Sequence, residues 1–369
     1  MKVAYDICKE LAKRGHEVEV FTTNAYDQTR NFKPKVREQL MNGFKVMFFN
    51  NLIRSSNIFF SPEMIAFLHM KLKDFDVVHT HFGRQPYDIA VHYYSKIYGV
   101  PYVLQAHGSL PRIMAKQRLK WVYDVFFGYR LLRDADKVIA LNDFEAKRYK
   151  AMGVLDERIV IIPNGIDLAE YAKLPAKGCF KRKFGIPEEK RIILYLGRIH
   201  KTKGIDFLIK AFAYLKNGMG VKDIVLVIGG PDDGYLNEAK ALEKSLGISN
   251  SIIFTGFISK KHKIEALVDA EVFVTPSFYG FPLTFLEACA VGTPIVTTSM
   301  SDFLDWIDGK AGYVAKPSIN DFAEKIYTII ASEELKKTIS KSCLNLVKEF
   351  SIEKVVYNLE KIYKEIINN

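Results

Sequence analysis

Cysteine is scarce: Cys8, Cys179, Cys289 and Cys343 are scattered through the chain, and no two form a Cys-x-x-Cys pair. That spacing excludes the common structural zinc sites and gives no disulfide framework, so the four thiols read as reduced core residues. Long apolar runs are missing as well. No stretch is long enough to span a bilayer, and the opening residues MKVAYDICKELAKRG space their charges as an amphipathic helix does, not as a signal peptide does. A soluble, cytoplasmic protein is expected. The chain also lacks a concentrated basic tail, zinc-finger spacing and an RNP-like aromatic motif, which removes nucleic acid as a partner despite a formal net charge of +11. That charge still favours an anionic partner, either a nucleotide or a phospholipid.

What is present is enough apolar residue, 49% of 369, for more than one core, and two domains are expected at this length. Helix and short apolar strand alternate. After a helix over Val3–Ala12 and a strand over Glu17–Thr22, the runs DVVHTH (76–81), 101–106, KVIAL (137–141) and RIVII (158–162) are separated by helical spacing. Between Asn24 and Phe60 only GFKVMFFN is clearly strand-like. Turn residues then crowd the segment 163–187, where Pro163-Asn164-Gly165 reads mainly as a structural turn. A second alternating series follows, with RIILYLG (191–197), DIVLVIGG (223–230), SIIFTG (251–256), EVFVTP (271–276) and GYVA (312–315), and three helices close the chain at 319–331, 333–349 and 352–367. The pattern predicts an α/β protein with two doubly wound parallel sheets. The last helix carries a stripe of Val355, Val356, Leu359, Ile362, Tyr363 and Ile366, and is expected to cover the first domain. The predicted divisions are 1–165, 166–349 and the crossing helix 350–369.

In open parallel sheets ligands sit beyond the carboxyl ends of the strands. His81, Gly83, His107, Gly108, Gly197, Arg198, Lys203, Gly229, Gly230 and Gly280 all follow predicted strands. The segment TPSFYGFPLTFLEACAVGTPIVTT (275–298) holds a further candidate. Pro282 suits a helix start, and it would leave the amides of Leu283 and Thr284 free to meet an anion. On that helix Glu287 shares a side with Leu283, Leu286 and Ala290, so its carboxylate points where core residues point. Geometry alone leaves two partners open, a lysine or arginine elsewhere in the fold or the vicinal hydroxyls of a ribose.

The collinear set LAKRGHEVEVFTT, HTH, HGS, ADKVIALN, IIPNGID, LGRIHKTKGID, VIGGP and LEACAVGTPIV resembles the retaining glycosyltransferases of family 4 over nearly the whole chain. The resemblance implies the GT-B fold of two facing Rossmann-like domains. It also implies transfer of a hexosyl-type sugar, with retention and without a metal cofactor, from a nucleotide diphosphate sugar to a glycan, glycolipid or lipid-linked acceptor, as in polysaccharide assembly. Arg198 and Lys203 match the residues that hold the donor diphosphate, Glu287 matches the one that binds the donor ribose, and His107 matches a histidine beside the transferred sugar. Gly197, Gly229, Gly230, Gly280, Phe281, Leu283 and Thr284 complete the expected donor-binding set, with His107, Arg198 and Lys203 taken as catalytic. The D-x-D pairs at 74–76 and 134–136 precede apolar strands and are read as strand-entry residues, not metal ligands. The alternatives are a nucleotide-sugar-binding subunit of weak or no activity, and another GT-B enzyme such as a sugar-nucleotide epimerase.

Two departures from the family stand out. The position where an earlier glutamate would contact the transferred sugar is Tyr279, or a gap before Gly280, and Pro282 stands where a second glycine is usual; both bear on donor-sugar selection. The family also has a strand and a Gly-Gly loop ahead of the helix that Met1-Lys2-Val3-Ala4 enters here, so either the reading frame is expected to begin upstream or the chain is expected to be truncated. Finally, Arg112–Arg133 mixes basic residues with Trp121, Phe126, Phe127 and Tyr129. It would suit peripheral contact with an anionic membrane at its inner face, but is read by preference as a helix with its aromatic face in the core.

Overall fold

The computed structural model describes residues 2–25, 32–33, 37–53, 58–111, 117–277, 281–299 and 305–368. The chain divides into two compact units, 1–165 together with 352–369, and 166–351.

The first unit runs α1 (Lys2–Lys13), β1 (Glu19–Thr23), β2 (Glu38–Met41), β3 (Phe44–Phe49), α2 (Pro62–Lys71), β4 (Val78–His81), α3 (Pro86–Tyr98), β5 (Tyr102–Gln105), α4 (Gln117–Tyr123), α5 (Tyr129–Asp134), β6 (Lys137–Ala140), α6 (Asp143–Ala151) and β7 (Ile159–Ile161). Its strands form two sheets. One is β1-β3-β2, with β1 parallel and β2 antiparallel to β3; the other is β4-β5-β6-β7, all parallel. The hairpin of β2 and β3 turns on Asn42-Gly43, both with positive φ (48° and 89°), as a two-residue turn between right-twisted strands requires. The sequence reading treats β2 as irregular, although Asn-Gly is its plainest local signal. One face of the four-stranded sheet packs on Leu68, Leu72, Leu131, Leu132 and Tyr149. The other packs on α1 and on the final helix, which spans Ile352–Ile367 and lays Val355, Val356, Leu359, Ile362 and Ile366 against Val103, Ile139 and Ile162.

The second unit runs α7 (Cys179–Phe184), β8 (Arg191–Leu196), α8 (Ile205–Ala213), β9 (Ile224–Gly229), α9 (Leu236–Ser245), β10 (Ile252–Gly256), α10 (Lys260–Asp269), β11 (Ala270–Thr275), α11 (Leu283–Ala290), β12 (Ile295–Thr298), β13 (Gly312–Ala315), α12 (Ile319–Ile330) and α13 (Glu333–Leu346), and the helix of 352–367 in the first unit is then α14. All six strands are parallel, in the order β10-β9-β8-β11-β12-β13. Numbered from β8 this is the doubly wound order 3-2-1-4-5-6, whose direction reverses between β8 and β11. RIILYL and IVLVIG read as unbroken apolar runs because helices cover both faces of the sheet, and all of these residues except Arg191 are buried. Phe350 and Ser351 belong to this unit rather than to the final helix. Phe350 packs on Trp306 and Phe281, and Ser351 bridges to Ile166.

The reading of Arg112–Arg133 needs correction. Residues 112–116 lie outside the described set, but from Gln117 the helix presents Trp121, Phe126 and Phe127 to solvent, at 52%, 70% and 43% exposure. The cause is local. Between α4 and α5 the backbone opens into a wide π turn at Asp124–Gly128, and the inward stripe is Asp124, Gly128, Leu131 and Leu132. Asp124 takes the inward place because its carboxylate receives the Arg84 guanidinium at 2.8 and 3.0 Å in the interior. Two charges that are buried together must stay together, so the aromatic residues are turned out.

Candidate functional site

The reversal of strand order puts the ends of β8 and β11 side by side in the second unit, and the expected donor residues gather there. Past β8 the chain passes Gly197 and Arg198, then a short 3-10 turn at Lys201–Lys203 capped by His200, and enters α8 at Gly204. A Cβ on Gly204 would lie 3.2 Å from the Pro276 side chain beyond β11, so Lys203 stands next to the β11 exit. Gly230, past β9, lies so close to Gly197 that any side chain would collide with the Gly197 carbonyl. Gly229 accepts from the Gly197 amide at 2.9 Å and the Gly230 amide donates to Gly256 at 2.9 Å. These three glycines make a flat backbone floor at the strand ends.

Two cations stand on that floor. The Arg198 guanidinium is 59% exposed and pairs with Asp233 at 2.6 Å. Lys203 is half-buried, and its ammonium has no acceptor among the described residues. Burial, and secondarily the neighbouring Arg198 charge, hold its pKa below the usual lysine range. An unpaired cation partly withdrawn from water beside a second cation is an unfavourable arrangement that an anion would relieve.

Of the two partners left open by the sequence, the structure shows the cation for Glu287. Glu287 is buried, at 3% exposure, and its Oε1 accepts from Lys263 on α10 at 2.5 Å, while Oε2 is buried with no hydrogen-bond partner among the described residues. The expected ion pair therefore exists and occupies one oxygen only. A buried carboxylate oxygen without a donor is costly, and two vicinal hydroxyls would satisfy it. Pro282 takes the cap position of α11 rather than its first turn, with φ −76°, and no hydrogen bond to the amides of Leu283 or Thr284 occurs among the described residues. Phe281 is committed elsewhere: its ring is buried and stacks on Trp306 at 5.8 Å. Tyr279 and Gly280 lie outside the described residues.

His107 belongs to the first unit, at the exit of β5. It adopts φ 49°, a left-handed conformation unusual for a residue with a side chain. The corner is held from both sides: the Ala106 amide donates to the Tyr149 hydroxyl at 3.1 Å, and the Gly108 amide donates to Glu145 Oε1 at 2.7 Å. A left-handed conformation so firmly fixed makes His107 a candidate working position. Burial brings the His107 imidazole down to about 4, against an opposing hydrogen bond with Asn164, so the ring is neutral at pH 7. Asn164, read from the sequence as part of a turn, is thus also a neighbour of His107. Lys263 and Asp233 were not singled out in the sequence; the first sits in KKHK, where nothing separates one lysine from the next. The carboxylates of the second D-x-D pair are engaged structurally, Asp136 accepting from the Tyr102 amide at 2.9 Å and Asp134 from His92 at 2.8 Å.

Comparison with known proteins bears on the family and the fold. The family model described as Glycosyltransferase Family 4 matches residues 2–170, and that described as Glycosyl transferases group 1 matches residues 178–343. An uncharacterised glycosyltransferase of Methanocaldococcus jannaschii is 24% identical over 98% of this chain and 88% of its own length. The UDP-Gal:alpha-D-GlcNAc-diphosphoundecaprenol alpha-1,3-galactosyltransferase of Escherichia coli is 24% identical over 90% of this chain and 87% of its own. Among solved structures, Anabaena HepE in complex with UDP and glucose superposes with a TM-score of 0.78 at 16% identity, covering 99% of this chain and 95% of that one. The two family models between them take in both units, the folds agree from end to end, and the chain belongs to the family 4 glycosyltransferases, enzymes of GT-B fold.

Proposed function

We propose that this protein transfers a sugar, with retention of anomeric configuration, from a nucleotide diphosphate sugar to a glycan, glycolipid or lipid-linked acceptor. One observation carries the reading: the Lys203 ammonium and the Glu287 Oε2, both without a partner among the described residues, stand in the same unit where the strand order reverses, one fit for a phosphate and the other for a ribose. Arg198 and Lys203, rather than a metal ion, take the charge that grows on the departing nucleotide as the glycosidic bond breaks toward an oxocarbenium-like transition state. The floor of Gly197, Gly229 and Gly230 lets a diphosphate approach the backbone, the Leu283 and Thr284 amides are open to it, and His107 orients the sugar or the acceptor.

The choice of donor fits one relative whose name mentions UDP-Gal, and one solved neighbour, Anabaena HepE, seen with UDP, with UDP-glucose and with UDP and glucose. Calorimetry with UDP-, GDP- and ADP-sugars, followed by assignment of the product anomer, tests the proposal. Micromolar binding and a retained product are expected. Binding with neither transfer nor hydrolysis would replace it with a nucleotide-sugar-binding subunit.

A membrane-proximal acceptor is part of this reading. No described helix is long and apolar enough to cross a bilayer. The first unit does have an open groove of about 430 Å³ between α3 and the π turn, lined by Tyr93, Ile97, Phe126 and Phe127 and rimmed by Lys96 and Arg130. Exposed aromatics among cations suit the interface of an anionic bilayer. Co-sedimentation with anionic vesicles is expected, weakened several-fold by 0.5 M salt and by F126D. Equal recovery on neutral and anionic vesicles would remove the membrane from the proposal.

A further inference from the structure

Neighbouring strands β4 and β5 place three imidazoles in a row. His79 and His81 lie on one face of β4, with ring centroids 4.8 Å apart, and the His81 ring lies 4.9 Å from that of His107. The register pairs His81 with Gln105, so the corner after β5 returns His107 to its side. Nδ1 of His81 is 2.7 Å from Nε2 of His107, a hydrogen-bond distance. At the far end Nδ1 of His79 meets the Tyr363 hydroxyl of α14 at 2.6 Å.

A bond between two neutral imidazoles has a strict consequence. Each ring has one N–H and one lone pair, so one ring donates at this contact and the other accepts. The direction of that single bond therefore determines the state of the opposite nitrogen of His107. If His81 donates, Nδ1 of His107 must itself be a donor; if His81 accepts, Nδ1 of His107 must be an acceptor. Burial pushes all three rings well below the usual histidine range, to about 3 for His79 and about 4 for His107, so the row is uncharged at neutral pH and the one-donor rule applies. His81 is itself restrained, stacked between its two neighbours on a strand whose following amide, Phe82, donates to Gln105 at 2.9 Å. His107, by contrast, sits on a left-handed corner outside any strand, and its ring is held by side chains alone, Asn164 and His81.

We propose that His81 is the positioning residue of His107: it selects one tautomer and one ring plane, and so decides whether His107 presents a donor or an acceptor to the sugar. The inference rests on the proposed role of His107 beside the transferred sugar. His81 touches no substrate and acts through the neighbouring ring alone.

The test compares H81L, H81N and H107A in the full chain, each checked by thermal melting. Asparagine can place an amide where Nδ1 of histidine stands, whereas leucine cannot. H81L is expected to lower kcat about 10- to 100-fold, the range typical for partners that orient a working histidine, with donor KM within about twofold of wild type. H81N should recover most of that loss. With ring-¹⁵N histidine, the two His107 nitrogens should give well-separated shifts in the wild type and in H81N, and averaged shifts in H81L. Unchanged His107 shifts and unchanged kcat in H81L, with H107A inactive, would overturn the positioning role while leaving His107 in place. Wild-type activity in H107A would instead remove the parent reading.

Discussion

Replacing Lys203 with alanine is expected to lower kcat about 10²- to 10³-fold, the cost of removing one preorganised charge aimed at a developing anion. The same change should leave the melting temperature unaltered or raise it, and this second half makes the prediction informative. A lysine that served the fold would have a partner, and truncating it would destabilise the unit. Lys203 has none among the described residues, is half-buried, and lies against the charge of Arg198. Its pKa is depressed, so the folded state disfavours the protonated form; the penalty operates at neutral pH and is relieved only as pH rises past the folded pKa. Removing the side chain removes that penalty. Activity within twofold of wild type, or a melting temperature several degrees lower, would show that the ammonium is structural. Arg198 should behave differently. It already holds Asp233 at the surface, and exposed pairs of this kind contribute little, so R198A is expected to weaken donor binding with a smaller effect on turnover.

For Glu287 the most direct measurement is the affinity for UDP against that for 2′,3′-dideoxy-UDP. Hydrogen bonds from hydroxyls to a carboxylate in a dry site contribute roughly 1.5–3 kcal/mol each. With both hydroxyls engaged, wild type should therefore prefer the ribose form by about 10²- to 10⁴-fold. In E287Q the preference should shrink toward unity, because the amide is neutral and can offer the hydroxyls a donor where they need an acceptor. An undiminished preference in E287Q would put the ribose elsewhere. K263M supplies the companion result. It leaves the buried carboxylate without its single ion-pair partner, and breaking such a pair costs about 3–5 kcal/mol when both groups are deeply buried. Lys263 retains 24% exposure, so the lower end of that range applies. Adding UDP should restore part of the lost stability if the ribose hydroxyls engage Glu287.

Much of the second unit was legible before any coordinates, and the reason is physical. Strands covered on both faces are written as plain apolar runs ending in glycine, and a parallel sheet forces a helix between each pair. RIILYLG and DIVLVIGG therefore announce themselves, as do the cations that follow the first of them. The first unit was harder to read. Its β2 is short and exposed, so only the Asn42-Gly43 turn could have revealed it. The aromatic helix was turned the wrong way because its inward stripe contains Asp124 and Gly128, which no apolar pattern marks as interior, and because a π turn breaks the 3.6-residue count on which such readings depend. Lys263 and His81 illustrate a different limit. Each matters through one partner far away in sequence, and nothing around either residue reports who that partner is.

The contact between Gly230 and the Gly197 carbonyl has a consequence for how such an enzyme can change. With main chain pressed against main chain, no side chain can be added to this floor without moving two strands. If the floor holds the diphosphate as proposed, variation at that spot can only damage grip on a group that every nucleotide sugar shares. New donor preferences must therefore arise in residues around the rim, while the floor is inherited as a fixed part, indifferent to which base or sugar the surrounding loops have come to select.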